Sequence, residues 1–146
     1  EWEKQFGRRY EPIEAYKTKG ADVVMMTMGS MGETAEIAVD ELRREGVPVG
    51  LLKLKLWRPF PFEEMKKAVR GVKTLIVTDR CCSLGGPGGP LAAEVRSALY
   101  AEAERPAIEN VLIGLGGRDV TVNDFKQMFR QAGKSRGIYE FYGVRG

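Results

Sequence analysis

Four apolar runs, each followed by a segment with helical spacing, limit the possible folds of this chain more than any other feature. The runs cover residues 22–28, 47–56, 72–78 and 108–113. They are continuous rather than alternating, which predicts strands covered on both faces and therefore a mostly parallel sheet. Repeated strand–helix units of this kind predict an α/β fold with right-handed crossovers.

Capping residues and prolines set the ends of the predicted helices. Ser30 with Glu33 three residues later is the pattern of a capping box, and Gly46 is suited to close the helix that begins there. Thr121 with Asp124 predicts the cap of the last helix in the same way. Prolines precede or open the other two predicted helices, which cover residues 62–69 and 90–103.

The two ends of the chain lie outside this series. Residues 1–20 predict a short helical lead-in followed by a strand at residues 10–16. This strand is expected at the edge of the sheet, because Pro12 excludes a central position, and we expect it to be antiparallel. Residues 132–146 predict a Gly-rich basic tail whose aromatic side chains either dock or are disordered. The chain has the length of one domain and no initiating methionine, so we expect residues 1–146 to be a single domain of a longer chain.

Composition argues against several classes of function. The chain has no histidine, which excludes a His-based triad or a His metal site within it. Its only cysteines are the neighbours Cys81 and Cys82, too few for a zinc or iron–sulfur site, and we interpret them as free thiols in a reducing cytoplasm. The net charge of +3 is spread along the chain, and no apolar run approaches the roughly 20 residues of a membrane helix, so we expect no nucleic-acid or membrane partner.

The turns that follow the parallel strands define the candidate site. Parallel strands all exit at the same edge of a sheet, and in open α/β folds this carboxyl edge is where ligands or partners bind. Three glycines fall within four positions of the last of these turns, residues 114–121, and leave its backbone free to approach another surface. The candidate anion-contact or interface residues at this edge are Ser30, Arg58, Arg80, Gly116, Gly117, Arg118 and Asp119.

Two interpretations of this edge remain open. In the first, helix N-termini and arginines bind an anionic small molecule. In the second, Ser30 and Thr121 only cap helices, while the arginines pair with Asp79 and Asp119 or contact a partner protein. The chain has neither the G-x-G-x-x-G nor the G-x-x-x-x-G-K-[ST] phosphate motif, which favours the second interpretation. Asp79, Arg80 and Cys81 are the only grouping with chemical possibilities, and a structural thiol is the simpler explanation.

Four motifs in order resemble a known enzyme family. They are Gly29-Ser30, Arg58-Pro59-Phe60-Pro61, the stretch from Gly88 to Leu99, and the turn at residues 114–121; Gly7-Arg8-Arg9-Tyr10 fits the start of the same domain. Together they resemble the C-terminal domain of the alpha chain of 2-oxoacid:ferredoxin oxidoreductases, and pyruvate:ferredoxin oxidoreductase, or pyruvate synthase, is the most similar type.

The resemblance implies a transketolase C-terminal-like fold: three layers, α/β/α, around a mixed sheet of about five strands with one antiparallel edge strand. It also implies an enzyme that oxidatively decarboxylates a 2-oxoacid with coenzyme A (CoA) and passes the electrons to ferredoxin. Thiamine diphosphate, Mg²⁺, iron–sulfur clusters and CoA are implied for the whole complex. None of them is expected to be bound by this fragment.

The same resemblance implies an assembly role for the fragment, which is not expected to be active alone and carries no catalytic or metal-binding residue. The implied partners are the other domains and subunits of the oxidoreductase, and ferredoxin for the complex. Residues 58–61 and 116–119 favour pyruvate or a branched-chain 2-oxoacid over 2-oxoglutarate. A free-standing module that binds an anionic small molecule is the alternative.

Overall fold

The computed structural model describes residues 2–7, 10–135 and 137–144 of the chain. Arg8 and Arg9 of the family resemblance, and residues 1, 136, 145 and 146 of the predicted lead-in and tail, lie outside the described residues. The helices are α1 (Trp2–Phe6), α2 (Met31–Arg44), α3 (Phe62–Ala68), α4 (Pro90–Ala98) and α5 (Val122–Gln131). The strands are β1 (Ile13–Tyr16), β2 (Val23–Met28), β3 (Val49–Leu54), β4 (Thr74–Asp79), β5 (Ala107–Leu112) and β6 (Glu140–Phe141).

The strands form one mixed sheet in the order β1-β3-β2-β4-β5-β6. The edge strand β1 is antiparallel to β3, and every other neighbouring pair is parallel. This confirms the predicted α/β class, the mostly parallel sheet and the antiparallel strand that the Pro12 segment places at the edge. None of the described helices is both long and apolar enough to cross a membrane.

The sixth strand, β6, lies in the segment that the sequence suggested was a tail. It adds to β5 in parallel, and the amide of Tyr142 donates to the carbonyl of Leu112 at 2.9 Å. The Tyr142 hydroxyl lies 3.1 Å from Oδ1 of Asp124 and 2.9 Å from Oε1 of Gln127, both on α5. A two-residue strand carries no periodic signal, and its order comes from these tertiary contacts, which sequence patterning does not reveal.

Helices cover both faces of the sheet, and each face has its own hydrophobic core. One core packs under α3 and α4, and the other under α2 and α5. Successive residues of a strand point to opposite faces, so Met26 enters the first core and Met25 the second, and both are fully buried. This is why the central strands are continuous apolar runs.

The capping prediction is right for one helix and wrong for another. Thr121 and Asp124 form the predicted capping box, in which the Thr121 hydroxyl accepts from the Asp124 amide at 3.3 Å. Ser30 makes no side-chain cap to α2, because its backbone is already helical, with φ −61° and ψ −22°, whereas a capping residue is normally extended. The carboxylate of Glu33 lies instead 3.4 Å from Nζ of the buried Lys53.

This difference predicts unequal effects of the same substitution. Thr121→Ala is expected to lower the free energy of unfolding by about 1 kcal/mol, because it removes a capping bond. Ser30→Ala is expected to change it by less than about 0.5 kcal/mol, because no capping bond is lost. Urea unfolding followed by circular dichroism measures both, and equal losses for the two variants would contradict the assignment of the caps.

Candidate functional site

The carboxyl edge of the sheet is organised around Asp79, the last residue of β4. This residue is only 5% exposed. Oδ1 accepts from the backbone amide of Leu91 at 2.9 Å, and Oδ2 accepts from that of Ala92 at 3.2 Å. Asp79 therefore occupies the N-terminus of α4, where backbone amides lack partners within the helix and the helix dipole favours a negative charge.

Asn110 on the neighbouring strand β5 completes this network and is 1% exposed. Its amide nitrogen donates to Oδ2 of Asp79 and to the carbonyl of Val77, both at 3.0 Å. Its amide oxygen accepts from the backbone amide of Gly89 at 2.8 Å. One buried side chain thus ties β4, β5 and the loop before α4 together, with both of its functional groups satisfied.

Two glycines allow this loop to lie directly against the network. A Cβ on Gly89 would lie 2.1 Å from Cγ of Asp79, and a Cβ on Gly88 would lie 2.4 Å from Oδ1 of Asn110. Neither distance is compatible with a side chain. The glycines at residues 88 and 89 are therefore required by close packing, which is a stronger constraint than the turn propensity that their composition indicates.

The same loop is attached to the C-terminal segment of the chain. The guanidinium of Arg96 donates to the carbonyl of Pro87 at 3.2 Å and to that of Ile138 at 2.6 Å. Within the loop, the amide of Ser83 donates to the carbonyl of Gly88 at 2.8 Å. The loop before α4 is thus held by its own backbone hydrogen bond, by packing against Asp79 and Asn110, and by the bonds of Arg96. Leu84, in the same loop, is fully exposed.

The electrostatics of this edge follow from burial. Burial raises the pKa of Asp79, although the amides of Leu91 and Ala92 and the side chain of Asn110 oppose the shift. Burial would also raise the pKa of Asp124 at the start of α5, but hydrogen bonds from Thr121 lower it. Two helix N-termini on this edge, those of α4 and α5, are therefore already occupied by carboxylates of the chain, which disfavours binding of an anion there.

The turn between β5 and α5 is built as its glycines predict. Gly114, Gly116 and Gly117 all have positive φ, at 62°, 66° and 79°, so residues 115–117 form a tight turn whose backbone is left-handed at Gly116 and Gly117. The guanidinium of Arg118 donates to the carbonyl of Leu115 at 2.9 Å, which closes the turn. Gly116, Gly117, Arg118 and Asp119 are all exposed, so this turn is available for contact.

The structure brings some of the predicted edge residues together and separates others. A Cβ on Gly114 would lie 3.3 Å from Nε of Arg80 and 3.0 Å from Cε of Met31, so Arg80, the start of α2 and the glycine turn meet. Arg58 lies apart from them, since its guanidinium bonds Glu94 of α4 at 2.5 Å and lies 4.2 Å from the centre of the Trp57 ring. Ser30 is exposed beside Met31 and makes no cap.

The pairing of these arginines with Asp79 and Asp119 is not found among the described residues. Asp79 is satisfied by amides, and Arg118 by a carbonyl. A buried carboxylate at a helix N-terminus gains several short hydrogen bonds there, whereas an exposed ion pair contributes little. Arg80 and Arg118 are exposed cations at the edge, and we find no carboxylate partner for either within the described part of the chain.

The cysteines and acids of this edge do not form a reactive or metal-binding group. Cys81 is exposed, and Sγ of the half-buried Cys82 lies 3.7 Å from the carbonyl of Ser83. Within the described residues, no three His, Cys, Asp or Glu side chains lie close enough to hold a metal ion. The grouping of Asp79 with Cys81 therefore separates into a buried structural carboxylate and an exposed thiol.

Sequence reasoning missed Asn110 and the packing role of Gly89. The signal for Asn110 was present, because an amide in the middle of a strand expected to be buried needs several hydrogen-bond partners. Gly89 could not be distinguished from its neighbours in a run of glycines and prolines, since only the position of Asp79 decides which glycine is in close contact.

Two solved structures share this architecture. The 2-oxoglutarate:ferredoxin oxidoreductase from Magnetococcus marinus, solved with 2-oxoglutarate, coenzyme A and succinyl-CoA bound, superposes with a TM-score of 0.61 at 21% identity, over 89% of this chain and 20% of that one. A split-gene transketolase, an inactive β4 tetramer, superposes with a TM-score of 0.62 at 21% identity, over 86% of this chain and 43% of that one. At these identities the likeness shows the fold alone, and it confirms the expected transketolase-like class.

Relatives found by sequence identify the family, whereas the structural matches show only the fold. The pyruvate synthase subunit PorA of Thermotoga maritima is 42% identical over 132 residues, which cover 90% of this chain and 33% of that protein. The ketoisovalerate oxidoreductase subunit VorA of Pyrococcus abyssi is 44% identical over 127 residues, which cover 86% of this chain and 32% of that protein. The chain thus spans about a third of the length of the curated relatives it matches.

The profile of one protein family, described as pyruvate:ferredoxin oxidoreductase core domain II, matches residues 21–125. The matched region contains the strands β2 to β5, the Asp79–Asn110 network and the glycine turn. Since it covers well over half of the chain, the chain belongs to the pyruvate:ferredoxin oxidoreductase core domain II family.

Proposed function

We propose that this chain is the C-terminal domain of the alpha subunit of a thiamine-diphosphate-dependent pyruvate:ferredoxin oxidoreductase. The observation that carries the proposal is the 42% identity to a pyruvate synthase subunit across 90% of the chain. The complex would convert a 2-oxoacid, CoA and oxidised ferredoxin into an acyl-CoA, carbon dioxide and reduced ferredoxin. In this proposal residues 1–146 are one domain of a longer cytoplasmic subunit, and its partners are the other domains and subunits, with ferredoxin for the complex.

The backbone amides at two helix N-termini of this chain are not free to bind a diphosphate, because Asp79 and Asp124 occupy the N-termini of α4 and α5. An iron–sulfur cluster needs about four thiolates, whereas the chain has only the adjacent Cys81 and Cys82. We therefore assign no catalytic step to this chain, and the chemistry belongs to other parts of the complex.

The contribution that remains is assembly, and the carboxyl edge supports it best. Arg80 and Arg118 are exposed there, and the glycine turn between them is closed by its own hydrogen bond. A rigid, cationic and solvent-exposed turn is suited to contact a partner, because little conformational entropy is lost when it binds. We propose that this edge, with Arg118 and Asp119 at its centre, faces another domain or subunit.

The relatives also support a second candidate substrate. The ketoisovalerate oxidoreductase subunit VorA is 44% identical to this chain, as similar as the pyruvate synthase subunits. A branched-chain 2-oxoacid is therefore the alternative to pyruvate.

The test is a substrate comparison on the complete natural subunit, co-expressed with its partner subunits. We expect CoA-dependent reduction of ferredoxin with pyruvate, at a higher kcat/KM than with 2-oxoisovalerate or 2-oxoglutarate. The 146-residue chain alone should show no turnover. A preference for 2-oxoisovalerate would select the branched-chain alternative, and inactivity of the assembled complex with all three acids would refute the proposed function.

A further inference from the structure

Leu84, in the loop between β4 and α4, is the one leucine of this chain that is fully exposed. The next most exposed leucine, Leu56, is 38% exposed, and most of the others are buried in the two cores. The following residues, Gly85 and Gly86, have no side chains that could cover Leu84. Since Leu84 buries no surface, it contributes nothing to the hydrophobic core, and the fold of this chain does not explain a leucine at this position.

A tight turn fixes the position of Leu84. The amide of Gly86 donates to the carbonyl of Ser83 at 2.9 Å, so Leu84 and Gly85 are the two central residues of a hydrogen-bonded β-turn. Gly85 has φ +71°, a conformation that favours glycine at the third position of such a turn. The amide of Ser83 also donates to the carbonyl of Gly88 at 2.8 Å, which closes the loop around this turn. Leu84 therefore lies in a closed turn rather than on a free segment.

The same loop is fixed to the rest of the domain by the buried network around Asp79. Gly88 and Gly89 pack against Asn110 and Asp79, and the amide of Gly89 donates to the Asn110 side chain at 2.8 Å. The guanidinium of Arg96 bonds a carbonyl of the loop at 3.2 Å. An ordered loop loses little conformational entropy when it binds, so a leucine held in this way is suited to bind in an apolar pocket of a partner.

Other exposed apolar side chains lie at the same edge of the sheet. Between the start of β1 and the end of α5, where every residue is described, six large apolar side chains are exposed. Four of them lie at the carboxyl edge, and we call these four the apolar patch: Met28, Leu56, Phe62 and Leu84. The strands β3, β2 and β4 are neighbours in the sheet and lie about 5 Å apart, so three of the four residues end or follow adjacent strands. Apolar residues grouped on one edge are characteristic of an interaction site.

We propose that Leu84 is the apolar anchor of an interface at the carboxyl edge and binds in an apolar pocket of another domain of the same subunit. This inference rests on the proposed function, in which the chain is one domain of a longer subunit. The chain matches 33% of the PorA subunit of Thermotoga maritima, so about two-thirds of such a subunit is available to cover the apolar patch. Contacts within one subunit are permanent, and permanent interfaces are more apolar than the small, transient contacts of electron-transfer proteins. We therefore favour a domain of the subunit over ferredoxin as the occupant.

The test is photo-cross-linking from position 84 in the complete natural subunit, co-expressed with its partner subunits. Leu84 is replaced by the photoreactive residue p-benzoylphenylalanine, and the cross-linked peptide is identified by mass spectrometry. We expect a cross-link to a peptide of the same subunit outside this domain, which leaves the subunit at its monomer mass on a denaturing gel. A cross-link to another subunit, to ferredoxin or to a second copy raises this mass and would overturn the proposal, as would the absence of a cross-link. Tyr100, which is 81% exposed after α4 at the opposite edge, is the matched position, and an equal yield there would also count against Leu84 as the anchor.

A second measurement separates a contact between domains from a role in the fold of this chain. Leu84→Ser should leave the urea unfolding midpoint of the 146-residue chain unchanged, because the side chain is fully exposed there. In the complete subunit it should lower the thermal unfolding midpoint by about 2 °C or more, since a buried leucine is lost, and Leu84→Met should restore most of this loss. Tyr100→Ser is the control, and an equal effect of both serine variants, or no effect of Leu84→Ser in the complete subunit, would overturn the proposal. Neither measurement involves turnover, so both give a result for Leu84 whether or not the complex converts a 2-oxoacid.

Discussion

Gly89→Ala is expected to lower the free energy of unfolding by about 3 kcal/mol or more, because the added methyl group has no space beside Asp79. A Cβ at this position would lie 2.1 Å from Cγ of Asp79. The backbone of Gly89, with φ −79° and ψ 152°, is one that alanine adopts without strain, so the cost is steric. Asp79 has to move, and its bonds to the amides of Leu91 and Ala92 are then weakened or lost. Urea unfolding followed by circular dichroism measures the loss.

Gly20→Ala is the matched control for this substitution. Gly20 has φ +71° and no atom within 4 Å of a Cβ position, so alanine there meets backbone strain without a clash. We expect a loss of about 1–2 kcal/mol for a left-handed backbone in this variant. A Gly89→Ala variant that is as stable as wild type would show that the loop does not lie against Asp79 as described.

Asn110→Asp is expected to destabilise the fold by about 3–5 kcal/mol near neutral pH, because it places a second buried carboxylate against Asp79. Asn110 donates to Oδ2 of Asp79 and to the carbonyl of Val77, and an ionised aspartate can donate to neither. Repulsion between the two carboxylates raises at least one folded-state pKa above its value in the unfolded chain. The folded state then binds the extra proton more tightly, so stability is regained as the pH falls through that raised pKa and is lost as the pH rises.

The measurement is the difference in unfolding free energy between wild type and variant, near neutral pH and at about pH 5. We expect the difference to shrink on acidification. Asn123→Asp is the control, because Asn123 is exposed in the first turn of α5, where a carboxylate is favourable and the change should stay within about 0.5 kcal/mol. A pH-independent difference for Asn110→Asp would contradict the direct contact between residues 79 and 110.

The parts of the fold that could be predicted are those for which the type of a single residue indicates its local environment. Met25 and Met26 are adjacent and both buried, as expected for a strand covered on both faces, and Pro12 marks an edge strand by its missing amide hydrogen. Ser30 shows where such prediction fails. A hydroxyl residue followed three positions later by an acid forms a cap for α5 at Thr121 but not for α2 at Ser30, whose backbone is helical. Patterns predict the presence of a helix better than the conformation of the residue before it.

The candidate site was harder to predict because its geometry comes from residues far apart in the chain. Asp79 and Asn110 are 31 positions apart, and parallel pairing of β4 with β5 brings them together. The sequence places Arg80 and Arg118 at the same edge, but it does not show that Arg58 turns away to bond Glu94. Whether this edge contacts a partner remains a proposal, and it is the central claim about the role of this chain.

The most direct test of that claim is an assembly and activity measurement on the complete complex carrying Arg118→Ala. Arg105→Ala is the matched control, since Arg105 also donates to one nearby carbonyl, that of Tyr100 at 2.6 Å, but lies before β5 at the opposite edge of the sheet. We expect Arg118→Ala to reduce the fraction of complex that assembles, while kcat per assembled complex stays at the wild-type value. A fully assembled complex with lowered kcat would contradict the account, because it would place Arg118 in the chemistry rather than in assembly.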